Sequence, residues 1–98
     1  MTITRKMEGT TLVISVDDKL DTVNATALAE DLKKGLDGAE NLVFDLSKLN
    51  YISSAGIRVL LVAQDMVGET GTMKIANANE LVQTAFVLTG LDELLLKE

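Results

Sequence analysis

A change of hydrophobic period, made several times along the chain, leaves few folds open to it. Leu12, Ile14 and Val16 recur at every second residue, the pattern of a half-buried strand. Ile3 and Met7 alternate with polar residues just before, and Glu8-Gly9-Thr10 reads as the turn between, so the two runs predict a hairpin. Asp17-Asp18-Lys19-Leu20-Asp21-Thr22 then breaks the pattern and offers helix-capping side chains. From Asn24 the period is helical: Ala25, Leu28, Ala29, Leu32 and Leu36 share a face, Glu30 and Lys34 pair on the wet side, and Gly35 and Gly38 end the helix.

Leu42-Val43-Phe44-Asp45-Leu46 is short and β-rich, which fits a central strand buried on both faces. The segment from Ser54 to about Val67 has helix length, a serine start and a Gly68 stop. Met73 to Ala76 reads as another strand. Asn77, with Glu80 three residues on, resembles a capping box before a helix through Leu81, Val82, Ala85, Phe86 and Leu88, closed by Gly90. Leu94-Leu95-Leu96 predicts a short edge strand. Strands separated by helices pair in parallel through right-handed crossovers. The expected order is β-β-α-β-α-β-α(-β): one α/β domain over residues 1–98, with a mixed, mostly parallel sheet of four to five strands and helices packed on it.

Composition then removes function classes. With no cysteine and no histidine, disulfides, thiolate chemistry, the usual zinc ligation and imidazole acid–base catalysis are out of reach. The net charge of −6 argues against nucleic acid or an anionic membrane as partner. Met1-Thr2-Ile3-Thr4-Arg5-Lys6 has no apolar signal core behind its charges, and the run Val59 to Ala63 is too short to span a bilayer, so a cytoplasmic protein without membrane insertion is expected. Oligomeric state is not fixed by these features.

The two common nucleotide cradles, G-x-G-x-x-G and G-x-x-x-x-G-K-[ST], do not occur, and Gly68-Glu69-Thr70-Gly71 carries an acid where a phosphate would sit. Asp17, Asp18 and Asp21 have the oxygens to chelate a cation, but a solvated loop with Asp21 or Thr22 capping the next helix is the favoured reading. No metal or cofactor is expected. Asp45, inside an apolar strand near the end expected to feed the serine loop, needs hydrogen-bond partners and reads as a pin for that loop.

The densest chemistry lies in Asn50-Tyr51-Ile52-Ser53-Ser54-Ala55-Gly56-Ile57, where two serines and a glycine precede an apolar helix. A helix N-terminus exposes unpaired N–H groups and partial positive charge, so a serine there can cap the helix, bind a phosphate or become one. Hydrolysis is set aside, because no histidine base and no G-x-S-x-G elbow is present. From spacing alone, a serine N-cap leads, worth about 1 kcal/mol. The following helix carries Ile57, Leu60 and Leu61 on one stripe; Val59, Val62, Ala63 and Met66 extend apolar character around it, as core or as a docking patch.

The stretch from Leu42 to Ile57 resembles the signature of the STAS family, and more specifically its stand-alone bacterial anti-sigma factor antagonists. The likeness covers the element order, the length and the Lys19-Leu20-Asp21 step before the first helix. In that family the acceptor serine stands two residues before the glycine. Here that is Ser54 before Gly56, with Ser53 in reserve; Ser53 stands where the family has an acid, Ala55 where it often has Ser or Thr, and Asp18 where it has a glycine.

The resemblance implies a phosphorylation-controlled partner switch with no catalysis by the chain itself. The unphosphorylated form would bind an anti-sigma factor that is also a serine kinase and so release a sigma factor. The kinase would phosphorylate Ser54 at the expense of ATP, and a metal-dependent serine phosphatase would reverse this. The implied partner surface is Asp21, Thr22, Ser53, Ser54, Ala55, Gly56 and Ile57. Two alternatives remain: a STAS adaptor subunit of a transporter or stress-sensing complex, and a small nucleotide-binding protein.

Overall fold

A computed structural model describes residues 1–95. The chain forms β1 (Ile3–Glu8), β2 (Thr11–Leu20), α1 (Thr22–Leu32), β3 (Asn41–Ile52), α2 (Ser54–Val67), β4 (Thr72–Ala76), α3 (Glu80–Leu88) and a 3-10 turn at Asp92–Leu94. The four strands lie in the order β1-β2-β3-β4, with β1 antiparallel to β2 and β2, β3 and β4 mutually parallel. The predicted α/β class, hairpin and mixed sheet are all present. The predicted tail strand shrinks to one bridge, Ile75 with Leu95, and Leu96 lies outside the described residues.

Cross-strand register builds the core. Leu12, Leu42 and Met73 stand in one row and Ile14, Phe44 and Ile75 in the next, every one of them buried. Buried side chains from the helices, among them Leu28, Leu32, Ile57, Leu60, Ala63, Val82 and Phe86, join the same cluster. The alternate positions Val13, Ser15, Val43 and Asp45 are only half-buried. The expectation that β3 is buried on both faces is therefore corrected. Successive right-handed crossovers that step in one direction, β2 to β3 to β4, carry their helices to the same side of the sheet. The other face is left uncovered.

β3 is also longer than the five residues from Leu42 to Leu46. Beyond Asp45 its register with β2 shifts twice, pairing Asp17 with Lys48 and Lys19 with Tyr51. Each shift inserts an extra β3 residue, a bulge that turns the spacing of two into a spacing of three, so Leu46, Leu49 and Ile52 all stay buried. β2 likewise runs on through Asp17-Asp18-Lys19 instead of breaking. Asp18 adopts φ +64°, a left-handed conformation that Asp tolerates better than most residues and that glycine favours.

α1 stops at Leu32, short of Gly35 and Gly38, and Leu36 packs on the core from outside the helix. Arg5 on β1 takes hold of the segment that follows. Its guanidinium lies 3.3 Å from both Asp31 and Asp37 and donates to the Gly35 carbonyl. The expected Glu30–Lys34 pair is replaced by Glu30 with Lys33 and Asp31 with Lys34. At α3 the cap is Asn79, whose Oδ1 accepts from the Val82 N–H at 2.8 Å, and not Asn77. Val82 and Phe86 enter the core, while Leu81 and Leu88 face solvent. Among the described residues no helix is long and apolar enough to cross a membrane.

Candidate functional site

The serines lie where β3 hands over to α2, beside the end of β2. The parallel pairing brings Leu20 opposite Ile52, so the starts of α1 and α2 emerge side by side from the carboxyl ends of neighbouring strands. This is where open α/β sheets present their functional loops.

Ser53 is the N-cap of α2. Its backbone is extended (φ −94°, ψ 172°), and its Oγ accepts from the Gly56 N–H at 3.2 Å. The same hydroxyl donates to the Leu20 carbonyl at 3.1 Å, and the Ser53 N–H donates to that carbonyl at 2.9 Å. Ser53 is thus half-buried and engaged in both directions. Ser54, the first residue inside the helix, is exposed, and its hydroxyl bonds to nothing among the described residues. The sequence suggested one serine as both helix cap and phosphate acceptor; in the structure Ser53 is the cap and the Ser54 hydroxyl is free among the described residues.

Gly56 and Ile57 shape the site from beneath. A Cβ on Gly56 would lie 2.7 Å from the Leu20 carbonyl oxygen and 2.9 Å from side-chain carbons of Ile52 and Leu20. The bare face of this glycine is filled by its own chain, so it serves the contact of α2 with β2 and leaves no opening for a partner backbone or nucleotide. Ile57 is buried in the core and Ala55 is half-buried.

Asp21 caps α1, its Oδ1 accepting from the Asn24 N–H at 2.9 Å, and its other oxygen lies 3.8 Å from Lys19 Nζ. The Asn24 amide returns a bond to the Lys19 carbonyl at 2.8 Å, tying α1 to the last residues of β2. Thr22, the first residue of α1, is exposed, as are its neighbour Val23 and, on β3, Tyr51. The outward-facing members of the predicted set are therefore Thr22 and Ser54. Along α2 the undecided apolar face divides: Ala63 is core, Val59 packs against it, and Val62 and Met66 are exposed.

One residue went unnoticed in the sequence. Arg58 is exposed, is the only cation on α2, and makes no ion pair among the described residues. It stands four residues after Ser54, and helical side chains lean toward the N-terminus, so its charge lies on the Ser54 side. The serine-to-arginine spacing of four was the available signal.

The acids have other duties. Asp17 accepts from the Thr2 N–H at 2.6 Å. Asp45 is far from the serines, seven residues before the end of β3, and its Oδ1 accepts from the Ser47 N–H at 3.0 Å and from Asn77 Nδ2 at 3.1 Å. Burial pushes this carboxyl up, but the bonds from Asn77 and Ser47 and the charge of Lys48 outweigh it and hold the carboxyl below its usual range. It pins the β4–α3 turn, where Asn77 has φ +61°, in place of the serine loop that the sequence suggested. Both acids line a hollow of about 380 Å³ on the uncovered sheet face, well apart from Ser54.

A family description, the STAS domain, matches residues 2–97. The chain belongs to the STAS domain family. BtrV of Bordetella bronchiseptica, which carries the name of an anti-sigma factor antagonist, is 33% identical over 87 residues, 87% of this STAS domain and 74% of BtrV. The solved anti-sigma factor antagonist of Mycobacterium paratuberculosis superposes with a TM-score of 0.88 at 25% identity, covering 99% of this chain and 86% of that one. Unphosphorylated SpoIIAA, also an anti-sigma factor antagonist, has the same fold, with a TM-score of 0.86 at 16% identity over 99% and 88% of the two chains.

Proposed function

We propose that this STAS domain is an anti-sigma factor antagonist whose binding is switched by phosphorylation of Ser54. Without phosphate, the surface around Thr22 and Ser54 binds an anti-sigma factor that is also a serine kinase, and the sigma factor is freed. In the transfer, Ser54 Oγ attacks the γ-phosphorus of ATP held by the kinase. The new bond is Oγ–P, the bond from phosphorus to the β,γ-bridging oxygen breaks, ADP leaves, and the hydroxyl proton passes to a base of the kinase. A metal-dependent serine phosphatase later uses water to release inorganic phosphate and restore the hydroxyl. The chain itself is the substrate and the ligand in these steps, never the catalyst.

The observation that carries this reading is the division of labour between the serines: a free, exposed hydroxyl on Ser54 beside a Ser53 hydroxyl held in two hydrogen bonds. Phosphate adds about −1.5 to −2 charges at neutral pH. At the first turn of α2 the helix dipole favours that charge, and Arg58 lies one turn away, so the domain stays folded. The switch acts on the partner, through bulk and charge at the contact.

Calorimetric titration against the cognate anti-sigma factor tests this. Ser54→Ala should bind as the wild type does and take no phosphate, while Ser54→Asp should bind at least about tenfold more weakly, a loss of ~1.4 kcal/mol. Equal binding by Ser54→Asp and wild type would overturn the switch.

A further inference from the structure

The end of β2 is joined to the start of α2 by several contacts that converge on Leu20. One carbonyl, that of Leu20, accepts from both the N–H and the Oγ of Ser53. The Leu20 side chain and carbonyl also press on the bare face of Gly56. One residue further along, Asp21 caps α1 and Thr22 opens it. The two exposed hydroxyl residues, Thr22 and Ser54, are thereby mounted on a single junction.

We propose, resting on the reading of Ser54 as phosphoacceptor, that Ser53 is a positioning residue for the phosphoryl transfer. Its hydroxyl closes the junction and fixes Ser54 relative to the Asp21–Thr22 segment, so that the kinase meets both as one rigid surface. The Ser53 hydroxyl does this by donating to the Leu20 carbonyl while accepting from the Gly56 N–H. Alanine does neither, and a carboxylate accepts but has no proton to donate. The acceptor oxygen must lie in line with the γ-phosphorus of ATP for the Oγ–P bond to form as ADP leaves and the proton goes to the kinase's base. Misplacement of reacting atoms by an ångström costs up to about a hundredfold in rate.

The test uses the full chain, the cognate anti-sigma factor kinase and magnesium ATP, at a temperature where every variant is folded. For Ser53→Ala, kcat for phosphorylation of Ser54 should fall at least about tenfold while KM for this chain changes little. Ser53→Thr, which keeps donor and acceptor, should restore the wild-type rate. Amide hydrogen exchange supplies a readout without the kinase: Ser53→Ala should speed exchange in the 19–22 segment of the other helix start as well as at Gly56. A wild-type kcat in folded Ser53→Ala overturns the proposal, as does faster exchange confined to α2. Absence of phosphate on Ser54 of the wild type overturns the reading beneath it, an outcome distinct from normal wild-type phosphorylation with unaltered Ser53→Ala.

Discussion

The starts of α1 and α2 are built on the same plan and differ in one chemical respect. Each has a polar cap in extended backbone, Asp21 or Ser53, followed by an exposed hydroxyl residue, Thr22 or Ser54. The Asp21 carboxylate only accepts; it caps its own helix and reaches β2 through the exposed Lys19 ammonium at 3.8 Å, while the hydrogen bond from α1 to the β2 backbone is made by a second residue, Asn24. The Ser53 hydroxyl accepts and donates, so one side chain both caps α2 and ties it to β2. One side chain thus does at α2 what takes two, Asp21 and Asn24, at α1.

Substitutions that break this contrast should follow a clear order. Gly56→Ala should be the most damaging, about 3 kcal/mol by urea unfolding, because its Cβ would meet a backbone carbonyl that cannot move aside. At α1 the equivalent helix position is Asn24, which already carries a side chain, so no such penalty applies there. Ser53→Ala should cost ~2 kcal/mol and Asp21→Ala ~1 kcal/mol, since the serine serves two partners. Equal losses in the two variants would remove the contrast.

Asp45 provides a reference carboxylate away from both helix starts. Its pKa is depressed in the folded state, so its contribution to stability is present above the ordinary carboxylate value of 3.8 and is lost as pH falls through the lower folded value. Asp45→Asn should therefore flatten the acid limb of a stability-against-pH curve below about pH 4 without altering Ser54 phosphorylation at neutral pH. An unchanged acid limb would contradict the assignment of Asn77 and Ser47 as its stabilising partners. The smallest effect is expected for Ser54→Ala, within about 0.5 kcal/mol of wild type, because its hydroxyl bonds to nothing among the described residues.

Much of this architecture was legible in the sequence where the controlling interaction is local. Periodicity located the three helices and the hairpin, and the alternation of strands with helices implied the parallel sheet. The failures came where a distant partner decides. The spacing of three in Leu46, Leu49 and Ile52 hid the far half of β3, because the bulges that produce it are defined by pairing with β2. Asn77 and Asn79 are both plausible caps, and only the backbone turn at Asn77, held by Asp45, gives the role to Asn79. Ser53 and Ser54 posed the same problem. Which serine caps depends on where the chain leaves extended geometry, and the Leu20 carbonyl that favours Ser53 lies 33 residues away. The packing of Gly56 against the Leu20 carbonyl has the same long-range origin.

The central claim is that Ser53 holds the helix and Ser54 takes the phosphate. Mass spectrometric site mapping, after incubation of the wild-type chain with the cognate anti-sigma factor kinase and magnesium ATP, tests it most directly. The expected result is a single phosphate on Ser54, abolished by Ser54→Ala. Phosphate found on Ser53 alone, or on neither serine, would contradict it.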